Sequence, residues 1–129
     1  MPAQILVVHD DPTFCQALAV TLRTQGHTVA VCFDPIPAWE ALPSDHKVKV
    51  LVTRINFGAG KTNGLALARR AVSNRPCTQV VYLCAPDERE FLPEEAVFHM
   101  MPYNAALVAK TVAGLLSASE NALNGRAAA

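Results

Sequence analysis

The residues of this chain that are suited to chemistry gather where apolar runs end. His9-Asp10-Asp11-Pro12 follows Gln4–Val8, Arg54 follows Val48–Thr53, Cys84 closes Gln79–Cys84, and Met101-Pro102 ends Ala96–Met101. Carboxylates in such places can hold a hard cation through oxygen. A histidine titrates near neutral pH, and a thiol beside a cation is driven toward the thiolate. Arg54 is permanently charged and presents a planar donor fork that matches a carboxylate. Its expected role is a fixed internal counter-ion bonded to Asp10 or Asp11, with an arginine that reaches solvent through the crevice mouth as the alternative. His9, Asp10 and Arg54 together carry a formal charge near zero, so nothing in that set draws in a dication. Cys84 is either a thiol activated by Arg54 or His9, or a small core residue.

Gln4–Val8, Ile-Leu-Val-Val after a glutamine, lacks polar alternation, as a strand covered on both faces does. Pro12 suits the first turn of a helix, Phe14, Leu18, Thr21, Leu22 and Gln25 keep helical spacing, and Gly26 closes it. Thr28–Phe33 reads as a second strand, followed by a short helix around Pro37–Leu42 with Trp39 and Leu42 as core contacts. Val48–Thr53 is a third strand, and Asn56–Asn63, with Gly58 and Gly60, a loop. The next helix places Leu65, Ala68 and Val72 on one face. Gln79–Cys84 and Ala96–Met101 are strands four and five. Between them Pro86–Glu95 holds two prolines and leaves room for a fourth helix of about two turns at most. Asn104 caps a last helix whose Val108, Val112, Leu115 and Leu116 face inward. Five alternations of strand and helix predict an α/β fold. It is a doubly wound, five-stranded parallel sheet of order 2-1-3-4-5 in a flavodoxin-like three-layer α/β/α arrangement, with a short or degenerate fourth helix. One domain is expected over residues 1–119, with 120–129 a frayed tail.

Composition sets the limits. The chain has 129 residues, 51% of them hydrophobic and 17% charged, with eleven basic and eleven acidic residues. That balance suits one compact domain and gives no electrostatic case for nucleic acid or an anionic membrane. No run reaches membrane-spanning length and the N-terminus lacks a basic leader, so a cytoplasmic location is expected. Cys15, Cys32, Cys77 and Cys84 form no C-x-x-C pair and read as reduced thiols.

Ile5-Leu6-Val7-Val8-His9-Asp10-Asp11-Pro12, the helix start Asn63-Gly64-Leu65 and Met101-Pro102-Tyr103 resemble the response-regulator receiver domain over roughly residues 3–118. That resemblance implies a chemotaxis-type receiver fold in which an aspartate takes a phosphoryl group from a histidine kinase beside Mg²⁺ held by an acidic pair. Carried over position by position, the acidic pair falls on His9 and Asp10, the phosphoacceptor on Arg54, the hydroxyl residue on Cys84, the lysine on Met101 and the aromatic switch on Phe98. Asn56 falls where a backbone carbonyl would serve the metal, in a loop two residues longer than the common form. Asp10, Asn56, Phe98 and Pro102 keep their type, whereas His9, Arg54, Cys84 and Met101 depart from it. The resemblance thus implies a pseudo-receiver: no metal site, no cofactor, no enzymatic activity, Met101 packed in place of the lysine, and Phe98 static.

The function expected is contact with a sensor histidine kinase or other two-component protein. Pro12, Phe14, Leu18, Pro102 and Tyr103 are the candidate contact residues. A homodimer through the fourth helix, fifth strand and last helix is expected in a mode altered by the short fourth helix. Three other functions compete with this one. Asp11 could be a non-standard phosphoacceptor, Cys84 could be a redox sensor, and the topology could hold a flavin. The last needs a first loop rich in Ser, Thr or Gly, and His9-Asp10-Asp11-Pro12 is acidic and stiff instead.

Overall fold

The computed structural model describes residues 4–44 and 47–128, and for 119–128 the backbone alone. Five parallel strands, β1 (Ile5–Val8), β2 (Val29–Cys32), β3 (Val50–Arg54), β4 (Gln79–Cys84) and β5 (Val97–Met100), lie in the order β2-β1-β3-β4-β5. Helices α1 (Pro12–Thr24), α2 (Pro35–Ala41), α3 (Gly64–Asn74) and α4 (Ala105–Ala128) alternate with them, and 3-10 segments span Leu42–Ser44 and Pro86–Phe91. The fold class, strand order and curtailed fourth helical segment are those expected from the sequence. Residues 120–128, expected as a frayed tail, continue α4 to Ala128. Residues 1–3, 45, 46 and 129 of the expected domain and tail lie outside the described residues.

Period-two alternation divides the core into two layers. Ile5 and Val7 of β1 face α1 and α4, joining Leu18, Leu22, Val52, Leu83 and Val112, all fully buried. Leu6 and Val8 face the other way, with Leu42, Leu51, Leu67 and Ala71 beneath α2 and α3. Each such aliphatic side chain contributes about 1.5–3 kcal/mol of transfer free energy, so the sheet is held from both sides. On α3 the buried face is Gly64, Leu67, Ala68 and Ala71, whereas Val72, expected inward, is 39% exposed. Leu65 and Ala68 are followed at helical spacing by Ala71 as well as Val72, and the smaller residue takes the inner position.

Helix starts fix where each strand's chemistry is presented. The Asp11 carboxylate accepts from the amides of Thr13 and Phe14, Asp34 from Ile36, Asn63 from Ala66 and Asn104 from Leu107. Pro12 and Pro35 then occupy first-turn positions, where a missing N–H costs nothing. Gly64 is required at the start of α3, because a Cβ there would run into the backbone carbonyl of Arg54. At the outer edge of the sheet, the Arg23 guanidinium donates to the carbonyl of Val29, 2.8 Å away.

Candidate functional site at the carboxyl edge of the sheet

Parallel register brings the strand ends together. Val8 pairs with Thr53, Arg54 with Leu83 and Cys84 with Met100. The turns after these strands therefore share one edge, at the place where a doubly wound sheet reverses its winding.

Arg54 reaches across this edge, and its Nη1 donates to Asp10 Oδ1 at 2.6 Å. The pairing expected for Arg54 is thus with Asp10. Asp11 is occupied as the cap of α1 instead. Burial alone would raise the Asp10 carboxyl, but the Arg54 hydrogen bond and charge outweigh it and hold the group below its ordinary value. Both side chains keep substantial solvent contact, 34% for Arg54 and 45% for Asp10. An exposed pair of this kind adds at most about 1 kcal/mol of stability, so its weight lies in the charge it sets within the crevice.

His9 is buried, and its Nδ1 accepts the backbone N–H of Asp11 at 3.0 Å. An accepting Nδ1 carries no proton, so the 3.5 Å approach of Asp10 to that nitrogen is not an ion pair. The proton of the neutral ring resides on Nε2, which is buried without a hydrogen-bond partner among the described residues. Burial lowers the imidazole below its ordinary value, Asp10 opposes this, and Arg54 adds to it. The ring packs at 5.2 Å from Phe14 and edge-on at 5.5 Å from Tyr103, closing a trio with Phe14 and Tyr103 also 5.5 Å apart. Burial pushes the Tyr103 phenol up to about 12 despite the opposing charge of Arg54.

These donors do not fit a hard dication. Asp10 is bound by a guanidinium, and Nδ1 of His9 is taken by an amide. The adjacent cation repels Mg²⁺, which demands several oxygen ligands in octahedral array.

Several expected roles change. Phe14 and Leu18, named as partner contacts, are 9% and 0% exposed, because the spacing that put them on one face of α1 turns that face onto the sheet. Pro12 and Pro102 are exposed, and Tyr103 is half-buried. Met101, expected to pack in place of a lysine, is 49% exposed at a cis Met101–Pro102 bond. Cys84 is wholly buried in the α2–α3 layer, and burial together with Glu88 raises its thiol, against a lesser pull from Arg89. That direction is opposite to thiolate activation.

Phe98 is half-buried with the Arg89 guanidinium 4.4 Å above its ring. Neither this cover nor the Lys61–Asp34 ion pair, which ties the β3–α3 loop to the start of α2, was foreseen from sequence. Both join residues far apart in the chain, and their only advance signal is an unassigned cation in a loop.

No family model matches the sequence, and no curated protein is matched by it. Solved structures share the fold. A response regulator receiver protein from Sinorhizobium medicae superposes with a TM-score of 0.76 at 24% identity, over 88% of this chain and 94% of its own. A CheY-like response regulator receiver domain protein from Methanospirillum hungatei gives 0.77 at 17% identity, covering 94% and 98%. NtrX from Brucella abortus gives 0.80 at 23% identity, covering all of this chain and 30% of that one.

Proposed function

We propose that this chain is a receiver-like module of two-component signalling that takes no phosphoryl group on aspartate and acts by contact with a partner protein, a sensor histidine kinase or another member of such a pathway. The observation that carries this reading is the Arg54–Asp10 bond, in which the phosphoacceptor position neutralises the one carboxylate kept from the acidic pair. It is supported by three neighbouring changes. His9 is neutral by its hydrogen bonding, Met101 offers no ammonium, and Cys84 is buried with a thiol in place of a hydroxyl. The pocket holds one charge state without a metal, and the module does no chemistry of its own. Its contact surface is the exposed rim of the crevice at Pro12, Met101 and Pro102, with Tyr103 behind them. The likeness of fold to receiver domains supports the pathway assignment. A cytoplasmic location accords with it, and no helix among the described residues is long and apolar enough to cross a membrane.

Incubation with acetyl phosphate and Mg²⁺, followed by intact-mass measurement, tests the reading. No phosphoryl adduct is expected on the wild-type protein or on Arg54→Asp, since the single change leaves His9, Cys84 and Met101 in place. An acid-labile adduct mapped to an aspartate, Asp11 included, overturns it.

A further inference from the structure

The short segment between β4 and β5 has a consequence on the α2–α3 face. Beside α3 lies a cleft of about 410 Å³ lined by Ala68, Arg69, Val72, Ser73 and Tyr82. Tyr82 also borders a second hollow of about 300 Å³ whose other wall includes Pro93, Glu95 and Ala96. Tyr82 thus forms the floor between a wall on α3 and a wall on the turn before β5. The charged residue lining the α3 wall is Arg69 and the one lining the other wall is Glu95, and the chain around them divides in the same sense. Residues 47–86 hold seven Lys and Arg and no Asp or Glu, whereas residues 87–95 hold five Asp and Glu and one Arg.

Much of the positive charge is used internally. Arg54 is on Asp10, Lys61 on Asp34, and Arg70 is stacked on Trp39 at 4.2 Å. Arg69 is exposed and has no hydrogen-bond or ion-pair partner among the described residues, and neither have the exposed Glu94 and Glu95. The same acidic segment carries Phe91, which at 62% is the most exposed large apolar side chain described.

We propose that this cleft is a self-association surface, with the α3 wall at Arg69 of one copy set against the Glu94–Glu95 turn of a second copy, and reciprocally about a two-fold axis. A surface with one basic and one acidic wall is self-complementary under such an axis, since each wall meets its opposite in the other copy. The chain's formal net charge of zero leaves no overall repulsion between copies. Phe91 supplies the kind of exposed aromatic that anchors an interface, and the half-open apolar floor at Val72 and Tyr82 receives it. The inference is independent of whether the crevice accepts a phosphoryl group, because it uses none of the crevice residues.

Sedimentation equilibrium across concentration and salt is the test. The wild-type protein should form a reversible dimer at low salt that weakens as salt screens the walls. Arg69→Glu and Glu95→Arg, both at exposed positions, should each weaken it by about tenfold or more through like-charge contacts. The double variant Arg69→Glu/Glu95→Arg should restore it, since each copy then carries both walls reversed. A protein monomeric at every concentration overturns the proposal. So does a dimer indifferent to the single reversals, or a double variant no better than the singles, with circular dichroism confirming that each variant is folded.

Discussion

The histidine at the end of β1 shows how one hydrogen bond settles a charge state. Because Nδ1 of His9 receives an amide proton from Asp11, protonation would break that bond and place a cation beside Arg54 in a buried site. The folded protein therefore holds His9 below 6.5, and the unfolded chain takes up its proton first. His99, whose Nε2 lies 2.8 Å from Thr111 Oγ1, is lowered by burial in the same direction. The stability due to both is full above pH 6.5 and is lost as pH falls from there toward the folded-state values. Asp10, also lowered, loses its share only below its ordinary value of 3.8, in a separate window. Urea titrations at graded pH should show this decline starting below 6.5. His9→Phe, which keeps the ring contacts with Phe14 and Tyr103, should flatten it in part, leaving the His99 share; an unchanged slope would falsify the assigned protonation state. Sequence alone placed Arg54 within reach of Asp10 and Asp11, since these residues sit at carboxyl ends of neighbouring strands, but left open which carboxylate it meets. It did not foretell the neutral state of His9, which depends on the turn geometry after β1.

Between elements, the decisive contact is the start of α3 on the end of β3. The Gly64 amide donates to the carbonyl of Ile55 at 2.8 Å, and its Cα hydrogens lie against the Arg54 carbonyl, where no methyl group fits. Gly64→Ala must move either α3 or the strand end that aims Arg54. A loss of about 2 kcal/mol or more is expected by chemical denaturation, together with a raised Asp10 carboxyl by NMR as the guanidinium is displaced. A change confined to stability, with Asp10 untouched, would show that α3 yields and not β3. Elements with strong punctuation were legible in the sequence: Asp11-Pro12 and Asn63-Gly64 each mark the helix start they cap, whereas the helix expected around Pro37–Leu42 starts two residues earlier, at Pro35 on the Asp34 cap. The inner face of α3 was not legible, because Ala71 and Val72 both continue its apolar spacing and only packing against the sheet chooses between them. Phe14 and Leu18 have the spacing of a core face, and their burial against the sheet withdraws them from contact with a partner.

For the molecule as a whole, a sheet packed on both faces makes the two layers one cooperative unit. Leu18 lies in the α1–α4 layer, while Trp39, the single tryptophan, lies across the sheet against α3. Leu18→Ala should cost about 3 kcal/mol through lost burial and the cavity left behind. Trp39 fluorescence and far-UV circular dichroism should shift together in one transition. Separate transitions would mean that the layers melt independently. The whole-molecule topology was readable from five alternations of strand and helix, whereas the charge-divided cleft over Tyr82 needed the third dimension, since Arg69 and Glu95 are twenty-six residues apart. The hydrogen bond from Arg23 to Val29, made within α1 and its own next strand, bears on what the protein avoids. An edge strand of four apolar residues with no proline or charge in it is a template on which another chain can crystallise its backbone. By occupying one of the acceptors that a docking strand would use, the guanidinium ends the ladder at β2 and works against fibrous stacking.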